Sequence, residues 1–285
     1  MTKKLLALYG LKWNPFSPDV PTDALWLKPD VDQFGWRLEQ HVRDGGFALI
    51  TGDSGTGKSM AMRLVADRLA HLPDVVVGAL LHPAGNLADL YRQLGELFDV
   101  SLRAHHRWTS FKALREKWHA HISSTLWRPV LLIDEAQEMR PEVLSELRLL
   151  SATNFDSRSI LSVLLAGDGR LLEHFRAPQL LPLATRIRPR LTLDYALPKE
   201  LADFLAHVLR EAGAPKLMTA GLISTLSEHA AGNYRALCNM ASELLIVAAQ
   251  REIPQLDEKL FLELFAPPSK QRARNAAGDS RRTTS

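Results

Sequence analysis

Eight consecutive residues have the types and spacing that bind phosphate groups, and they read Gly52-Asp53-Ser54-Gly55-Thr56-Gly57-Lys58-Ser59. Glycines accept backbone angles that other residues resist, so successive N–H groups can converge on phosphate oxygens where a helix begins. Lys58 would reach the outer phosphates, and the Ser59 hydroxyl would be one ligand of Mg²⁺. A glycine-rich turn before an ordinary helix is the alternative. The apolar run Phe47–Thr51 supplies the strand that a phosphate loop requires, so we predict a site for ATP and Mg²⁺.

Two carboxylates follow a second apolar run. Val130-Leu131-Leu132-Ile133 is typical of a strand buried on both faces, and it ends in Asp134-Glu135. We predict that Asp134 holds the hydration shell of the metal and that Glu135 orients and deprotonates the water that attacks the γ-phosphate. The alternative is an acidic pair that caps the helix opening at Pro141. The phosphate loop upstream favours the catalytic interpretation.

Buried strands and helices alternate around these motifs, which predicts an α/β fold with a parallel five-stranded sheet covered by helices on both faces. Strands are predicted at residues 47–51, 75–81, 130–133, 160–166 and 190–193. Beyond Pro198 the apolar spacing is helical only, which predicts a small all-helical domain. The predicted parts are an N-terminal segment (1–30), the α/β domain (31–197), the helical domain (198–266) and a disordered basic tail (267–285).

Composition restricts the classes of protein to which the chain can belong. Its 285 residues are 46% hydrophobic, which suffices for a full core, and the single cysteine excludes an intramolecular disulfide framework. We find no apolar run of the length that a membrane helix needs and no signal peptide at the start, so we expect a cytoplasmic protein without a membrane partner.

Basic residues are concentrated in two places, although the net charge is only +3. One is the tail after Pro267. The other lies between Ser101 and His121, where Trp108, Phe111 and Trp118 are interleaved with five basic residues: Arg103, Arg107, Lys112, Arg115 and Lys117. Basic side chains beside aromatic ones predict sequence-tolerant contacts to the phosphates of duplex DNA. A docking face for a protein partner is the competing interpretation.

The chain resembles AAA+ ATPases of the ExeA-like group, which includes DNA-transposition ATPases of the TniB, TnsC and MuB kind. The matching segments are Tyr9-Gly10-Leu11, Asn14-Pro15-Phe16, 46–59, Asp134-Glu135-Ala136-Gln137, Pro141-Glu142-Val143-Leu144, Glu146-Leu147-Arg148, Leu165-Ala166-Gly167, Arg186-Ile187 and 232–239. They span almost all of the predicted folded part. The resemblance implies the AAA+ form of the P-loop NTPase fold, with the helical domain as its lid.

The resemblance also assigns two arginines. Arg186 matches the arginine finger, which would reach the γ-phosphate of a neighbouring subunit and thus implies a homo-oligomer with shared ATP sites. Arg188 and Arg190 are competitors for this role, and a surface arginine cluster is the other interpretation. Arg235 matches the second-sensor arginine of the lid, although an arginine on a helix is more often a surface residue. Asp168 departs from the group, because relatives carry Gln there, in the neighbourhood of the first sensor.

We predict that the protein functions in DNA transposition, like the transposition branch of this group. ExeA itself carries a membrane span and a periplasmic region after the lid, whereas this sequence stops at the lid. We therefore expect an ATPase that oligomerises with ATP on duplex DNA and recruits a transposase to its target. The alternatives are an ATPase of secretion-complex assembly and a nucleotide-gated scaffold, for example in a defence complex, that does not bind DNA.

Overall fold

The computed structural model describes residues 3–80, 82–101, 106–155 and 157–265. Its helices are α1 (Lys3–Tyr9), α2 (Pro29–Asp44), α3 (Lys58–Ala70), α4 (Leu87–Leu97), α5 (Arg107–Thr125), α6 (Pro141–Ser151), α7 (Gly169–His174), α8 (Leu181–Ala184), α9 (Pro198–Glu211), α10 (Ala220–His229), α11 (Tyr234–Gln250) and α12 (Glu258–Phe265). Its strands are β1 (Gly46–Gly52), β2 (Val77–Leu80), β3 (Val130–Ile133), β4 (Ala152–Thr153), β5 (Arg158–Ser159), β6 (Ser162–Gly167) and β7 (Ile187–Leu193).

Five parallel strands form the central sheet in the order β2-β3-β6-β1-β7. The side chains of β1 alternate between the two faces of this sheet. Phe47 and Leu49 join the apolar cluster formed with α4, α5 and α6, whereas Ala48 and Ile50 join the cluster formed with α2 and α3. Because both faces of the sheet are covered, its strands are continuous apolar runs. The predicted fold class is confirmed.

The parallel arrangement places the carboxyl ends of all five strands at one edge of the sheet, which we call the carboxyl edge. Gly52 of β1 and Gly167 of β6 end there, beside Ile133 of β3. The amino edge is the opposite one, where Ile187 begins β7 beside Phe47. Groups that follow the strands and groups that precede them are therefore separated by the length of a strand.

Among the described residues, a compact helical unit contains residues 3–26 and 195–265, and the α/β unit spans residues 27–194. The N-terminal segment, which we predicted as a separate part, belongs to the helical unit, and the predicted tail (267–285) lies outside the described residues. Leu5, Leu11 and Phe16 are buried with the apolar residues of α9 to α12, and the Tyr9 hydroxyl donates to the Ile253 carbonyl over 2.9 Å. A segment that buries its own leucines in this cluster is part of the core of the helical unit.

Several elements were not predicted, namely α1, α2, α5, α7, α8, β4 and β5. A short antiparallel hairpin, β4 with β5, connects α6 to β6. Helix α5 occupies the basic aromatic region, and it buries Leu114 and Trp118. Within the described residues, none of the helices is long and apolar enough to cross a membrane.

Candidate functional site

The phosphate loop connects the end of β1 to the start of α3 at the carboxyl edge of the sheet. Gly55 and Gly57 have φ angles of 84° and 104°, which favour glycine. Gly52 is required for a different reason, because a β-carbon there would lie 2.4 Å from the Leu193 carbonyl oxygen. Helix α3 begins at Lys58, so its first N–H groups and its positive end point toward the loop.

Lys58 is held across this loop. Its side chain is only 7% exposed, and its ammonium group donates to the Gly52 and Asp53 carbonyls over 2.9 and 3.0 Å. The Thr56 hydroxyl also donates to the Asp53 carbonyl, over 2.9 Å. The ammonium is therefore positioned within the loop, where phosphate oxygens can replace carbonyls as acceptors.

The two predicted motifs lie side by side. The Ser59 hydroxyl donates to Oδ2 of Asp134 over 3.1 Å, which joins the start of α3 to the end of β3. The other Asp134 oxygen, Oδ1, accepts from the Glu135 N–H over 2.9 Å. Glu135 itself is exposed and lies in left-handed backbone, with a φ of 51°. Strained backbone of this kind is often found at functional sites.

Gln137 is a functional candidate to which we assigned no role from the sequence. It is 4% exposed, its amide nitrogen donates to Glu135 Oε2, and its amide oxygen accepts from the Asp168 N–H over 3.2 Å. His82, which follows β2, is exposed, and the hydrogen bond to the Glu135 carboxylate comes from Gln137. The sequence feature that could have identified Gln137 is its position two residues after Glu135.

The negative charge of the Asp168 carboxylate is offset by neighbouring cationic side chains. Hydrogen bonds from the Arg170 guanidinium, the largest effect, hold the pKa of Asp168 below its ordinary value, and the charge of Lys58 acts in the same direction. Arg170 contacts Asp168 Oδ2 over 2.9 Å and Glu138 over 2.8 Å. A carboxylate paired with Arg170 is compatible with phosphate binding at this edge of the sheet.

The residues present fit a nucleotide and a divalent cation. The loop presents glycine backbone and a buried ammonium to phosphate oxygens, and a hydroxyl and a carboxylate lie beside each other where a cation would be held. Glu135 lies one residue from this pair and is accessible to water. The arrangement can bind a nucleoside triphosphate with Mg²⁺ and activate a water molecule.

Arg186 lies at the amino edge, far from this loop. It precedes Ile187, which pairs with Phe47, whereas the loop follows Gly52, which pairs with Leu193. Five to six residues of extended strand correspond to about 17–20 Å, which exceeds the reach of an arginine side chain. Its guanidinium donates to the Pro182 carbonyl.

A cavity of about 400 Å³ at the amino edge is lined by Arg186, by Arg188 and by the arginines Arg128 and Arg158. Arg188 is exposed, and Arg190 donates to the Ala184 carbonyl over 3.2 Å. Arg235, the predicted second sensor, is an exposed residue of the first turn of α11 in the helical unit.

Two of the predicted DNA contacts have partners within the protein. Arg107 forms a two-pronged ion pair with Glu146, whose side chain is 2% exposed, at 2.8 and 2.5 Å. The Tyr91 hydroxyl donates to the same carboxylate over 2.5 Å. Because the buried charge of Glu146 needs this partner, Arg107 is a structural residue that joins α5 to α6.

Arg115 is the second of these residues. Its guanidinium donates to the carbonyls of Leu150 and Ala152 over 2.9 and 2.5 Å, so it caps the carboxyl end of α6. Burial lowers its pKa. Lys112 and Lys117 are exposed, Lys112 lying 3.7 Å from Glu116, and Arg103 lies outside the described residues.

Loss of the Arg107 side chain should destabilise the fold in a pH-dependent manner. Burial alone would raise the pKa of Glu146, but the hydrogen bonds from Arg107 and Tyr91 outweigh it and hold this pKa below its ordinary value. In wild type this contribution is therefore present above the unfolded-state pKa and is lost as the pH falls through the folded-state pKa. In Arg107→Ala only the Tyr91 hydrogen bond opposes the effect of burial, so the variant should lose about 1–3 kcal/mol at pH 8 and less near pH 4. Urea unfolding at both pH values, with exposed Lys199→Ala as control, measures this; an equal loss at both pH values would contradict it.

The comparisons with known proteins agree with this fold. Residues 41–175 match the family model described as AAA domain. The chain is 30% identical over 249 residues to General secretion pathway protein A of Aeromonas hydrophila; the match covers 85% of this chain and 44% of that protein, so the chain spans less than half of its length.

Two solved structures have the same fold. Cdc6p from Pyrobaculum aerophilum has a TM-score of 0.68 and 15% identity, and the match covers 85% of this chain and 67% of that one. The ORC1 protein of Aeropyrum pernix, solved in complex with DNA, has a TM-score of 0.65 and 17% identity, and the match covers 86% of this chain and 66% of that one. The chain has the AAA+ fold of P-loop NTPases and is similar to the secretion-pathway protein.

Proposed function

We propose that this AAA+ protein hydrolyses ATP, with Glu135 as the general base. The observation that carries the proposal is the hydrogen bond between Ser59 and Asp134, because it unites the phosphate loop and the acidic strand end in one site. Glu135, adjacent to Asp134, would accept a proton from the attacking water, and its exposed carboxylate allows water to reach it.

The phosphates would be held by the backbone of residues 52–59 and by the Lys58 ammonium. Mg²⁺, held by Ser59 and through water by Asp134, would offset the charge of the phosphate oxygens. When phosphate binds, the Lys58 ammonium would lose its hydrogen bonds to the Gly52 and Asp53 carbonyls. Charge-assisted hydrogen bonds to phosphate oxygens would replace them.

Lys58→Ala should therefore weaken ATP binding itself. Removal of a charge-assisted phosphate contact should raise the dissociation constant for ATP by about tenfold or more, since hydrogen bonds to charged groups contribute about 1.5–3 kcal/mol. Titration with a fluorescent ATP analogue and Mg²⁺ measures this constant, and Lys199→Ala, an exposed lysine in the first turn of α9, is the matched control. Unchanged affinity in Lys58→Ala would remove Lys58 from the phosphate site.

The proposed assembly is a homo-oligomer with shared ATP sites. Arg186 and the phosphate loop lie at opposite edges of one sheet, so Arg186 can complete a site only on another subunit. An arginine at that position would stabilise charge that develops during phosphoryl transfer. Arg235 would act from the lid as a sensor of the γ-phosphate.

Duplex DNA is the proposed partner, and Lys112 and Lys117 of α5 are the proposed contacts. Both are exposed, and Trp108 on the same helix is 75% exposed and stacks on Phe111 at a ring distance of 5.8 Å. Exposed cations beside an exposed aromatic ring suit a phosphate backbone. The similar ORC1 structure, which contains DNA, supports the choice by fold alone.

Replacing both lysines should weaken DNA binding and its dependence on salt. With ATP present, Lys112→Ala combined with Lys117→Ala should bind a duplex about tenfold or more weakly, and the slope of log affinity against log salt should flatten by about two. The control pair Lys112→Arg with Lys117→Arg keeps both charges and should bind normally. Fluorescence anisotropy at several salt concentrations tests this, and failure of the wild-type protein to bind duplex at low salt would exclude the DNA proposal.

Two roles remain as proposals for this ATPase. Recruitment of a transposase to target DNA rests on the resemblance of the sequence motifs to transposition ATPases. Assembly of a secretion complex rests on the identity with the Aeromonas protein. The DNA titration separates them, because only the first requires a duplex.

A further inference from the structure

The Gln137 amide bridges two parts of the site that are distant in sequence. Its nitrogen donates to the Glu135 carboxylate, and its oxygen accepts from the Asp168 N–H over 3.2 Å, where β6 ends. Only one orientation of the amide suits both neighbours. Rotating it by half a turn would set a carbonyl against the carboxylate and an amide N–H against another N–H.

The surroundings leave this side chain little freedom. Gln137 is 4% exposed, and a β-carbon at Gly167 would lie 2.6 Å from its amide oxygen. Its backbone belongs to a short 3-10 turn, Ala136–Glu138, in which the Glu138 N–H donates to the Glu135 carbonyl over 2.9 Å. Glu138 is also tied to the same region, through its ion pair with Arg170. The amide is thus fixed from both sides.

Glu135, in contrast, is exposed and carries a long side chain. Without a tie, such a side chain samples several rotamers, and only some of them direct the carboxylate to an attacking water. Asp134, its neighbour, already uses one oxygen on the Glu135 N–H and the other on Ser59. The Gln137 amide donates to the Glu135 carboxylate and can supply such a tie.

We propose that Gln137 is a positioning residue that holds the Glu135 carboxylate for catalysis and makes its position depend on the turn at Gly167-Asp168. This inference rests on the proposed function, in which Glu135 is the general base. Asp168 follows β6 at the carboxyl edge of the sheet. A displacement of this turn is transmitted by one buried amide to the carboxylate that activates water.

Steady-state kinetics of Gln137→Met tests the proposal. Methionine keeps the length and apolar stem of the side chain but removes both hydrogen bonds. We expect kcat to fall by about tenfold to a hundredfold, because a misplacement of about 1 Å can have that effect on a reaction. We expect KM and the dissociation constant for ATP to stay within about threefold, since Gln137 has no proposed contact with phosphate.

Gln137→Glu separates the two halves of the bridge. It keeps an acceptor for the Asp168 N–H and replaces the donor to Glu135 by a second carboxylate. The fall in kcat should equal or exceed that of Gln137→Met, and Gln137→Glu also provides the test if Gln137→Met does not fold. A residue that only stabilised the turn would show the opposite order, with Gln137→Glu near wild type.

A double-mutant cycle shows whether Gln137 acts through Glu135. In the background of Glu135→Gln, the further change Gln137→Met should reduce the residual hydrolysis by less than twofold, because the base is already lost. Wild-type kcat in both single variants, or an equal further loss in the double variant, would overturn the proposal for Gln137 alone. If Glu135→Gln itself hydrolyses ATP at the wild-type rate, the proposed function fails instead, so the two failures are distinguishable.

Discussion

Glu135→Gln should lower kcat for ATP hydrolysis by about a hundredfold to ten-thousandfold, the range by which a positioned general base accelerates a reaction. The substitution keeps the shape of the side chain and removes its ability to accept a proton from water. Nucleotide affinity should be preserved, because the proposed phosphate contacts are made by residues 52–59, which the substitution leaves intact. The variant should therefore accumulate in its ATP-bound form.

Single-turnover hydrolysis of radiolabelled ATP, measured beside equilibrium binding, separates these two effects. Glu142→Gln is the matched control, because Glu142 is an exposed carboxylate of α6 at the surface of the same unit. We expect Glu142→Gln to turn over like wild type. Hydrolysis by Glu135→Gln at the wild-type rate would show that another group is the base.

Arg186→Ala should reduce turnover by about a thousandfold, the lower end of what an arginine finger contributes, while ATP binding persists. The complementary partner is Lys58→Ala, which lacks a working phosphate loop but keeps the finger. In an equal mixture, random assembly would give about a quarter of the interfaces both intact elements, so the mixture should recover part of the wild-type activity.

Alanine variants of the two neighbouring arginines show whether Arg186 is the finger. Arg188→Ala and Arg190→Ala, made in parallel, should retain most of the activity if Arg186 is the finger. An equal mixture of Arg186→Ala and Lys58→Ala that is no more active than either variant alone would show that the finger lies elsewhere.

The phosphate loop could be predicted from the sequence because it is local. All of its residues lie within one segment, and the glycines, lysine and serine have fixed offsets that the structure keeps. The sheet could also be predicted, since strands buried on both faces are apolar throughout. β3 was predicted with its observed bounds, whereas β7 begins at Ile187, three residues before the predicted start.

The partners of the α5 arginines could not be predicted from the local sequence. From the sequence, Arg107 and Arg115 contribute to a positive segment, and a charge that lacks a nearby opposite charge looks available for DNA. Their partners lie 35 to 39 residues along the chain, in Glu146 and in the carbonyls at the end of α6. Long-range partners of this kind are set by tertiary packing, which local charge balance does not report.

The role of Gln137 could not be predicted from the sequence for a related reason. Its position beside Glu135 was visible, but its second contact is a backbone N–H, that of Asp168, and backbone groups have no signature in the side-chain pattern. The hairpin of β4 and β5 has two residues in each strand, too few for an alternating pattern to be recognised.

The opposite placement of Arg186 and the phosphate loop has a consequence for how an assembly would end. Each subunit would offer a finger at one edge of its sheet and receive one at the other, which is a head-to-tail contact that forms rings or open filaments. A ring would complete every site. An open filament would always have one terminal subunit whose ATP meets no finger, so that end would keep its nucleotide longest and the filament would grow and shrink with a direction.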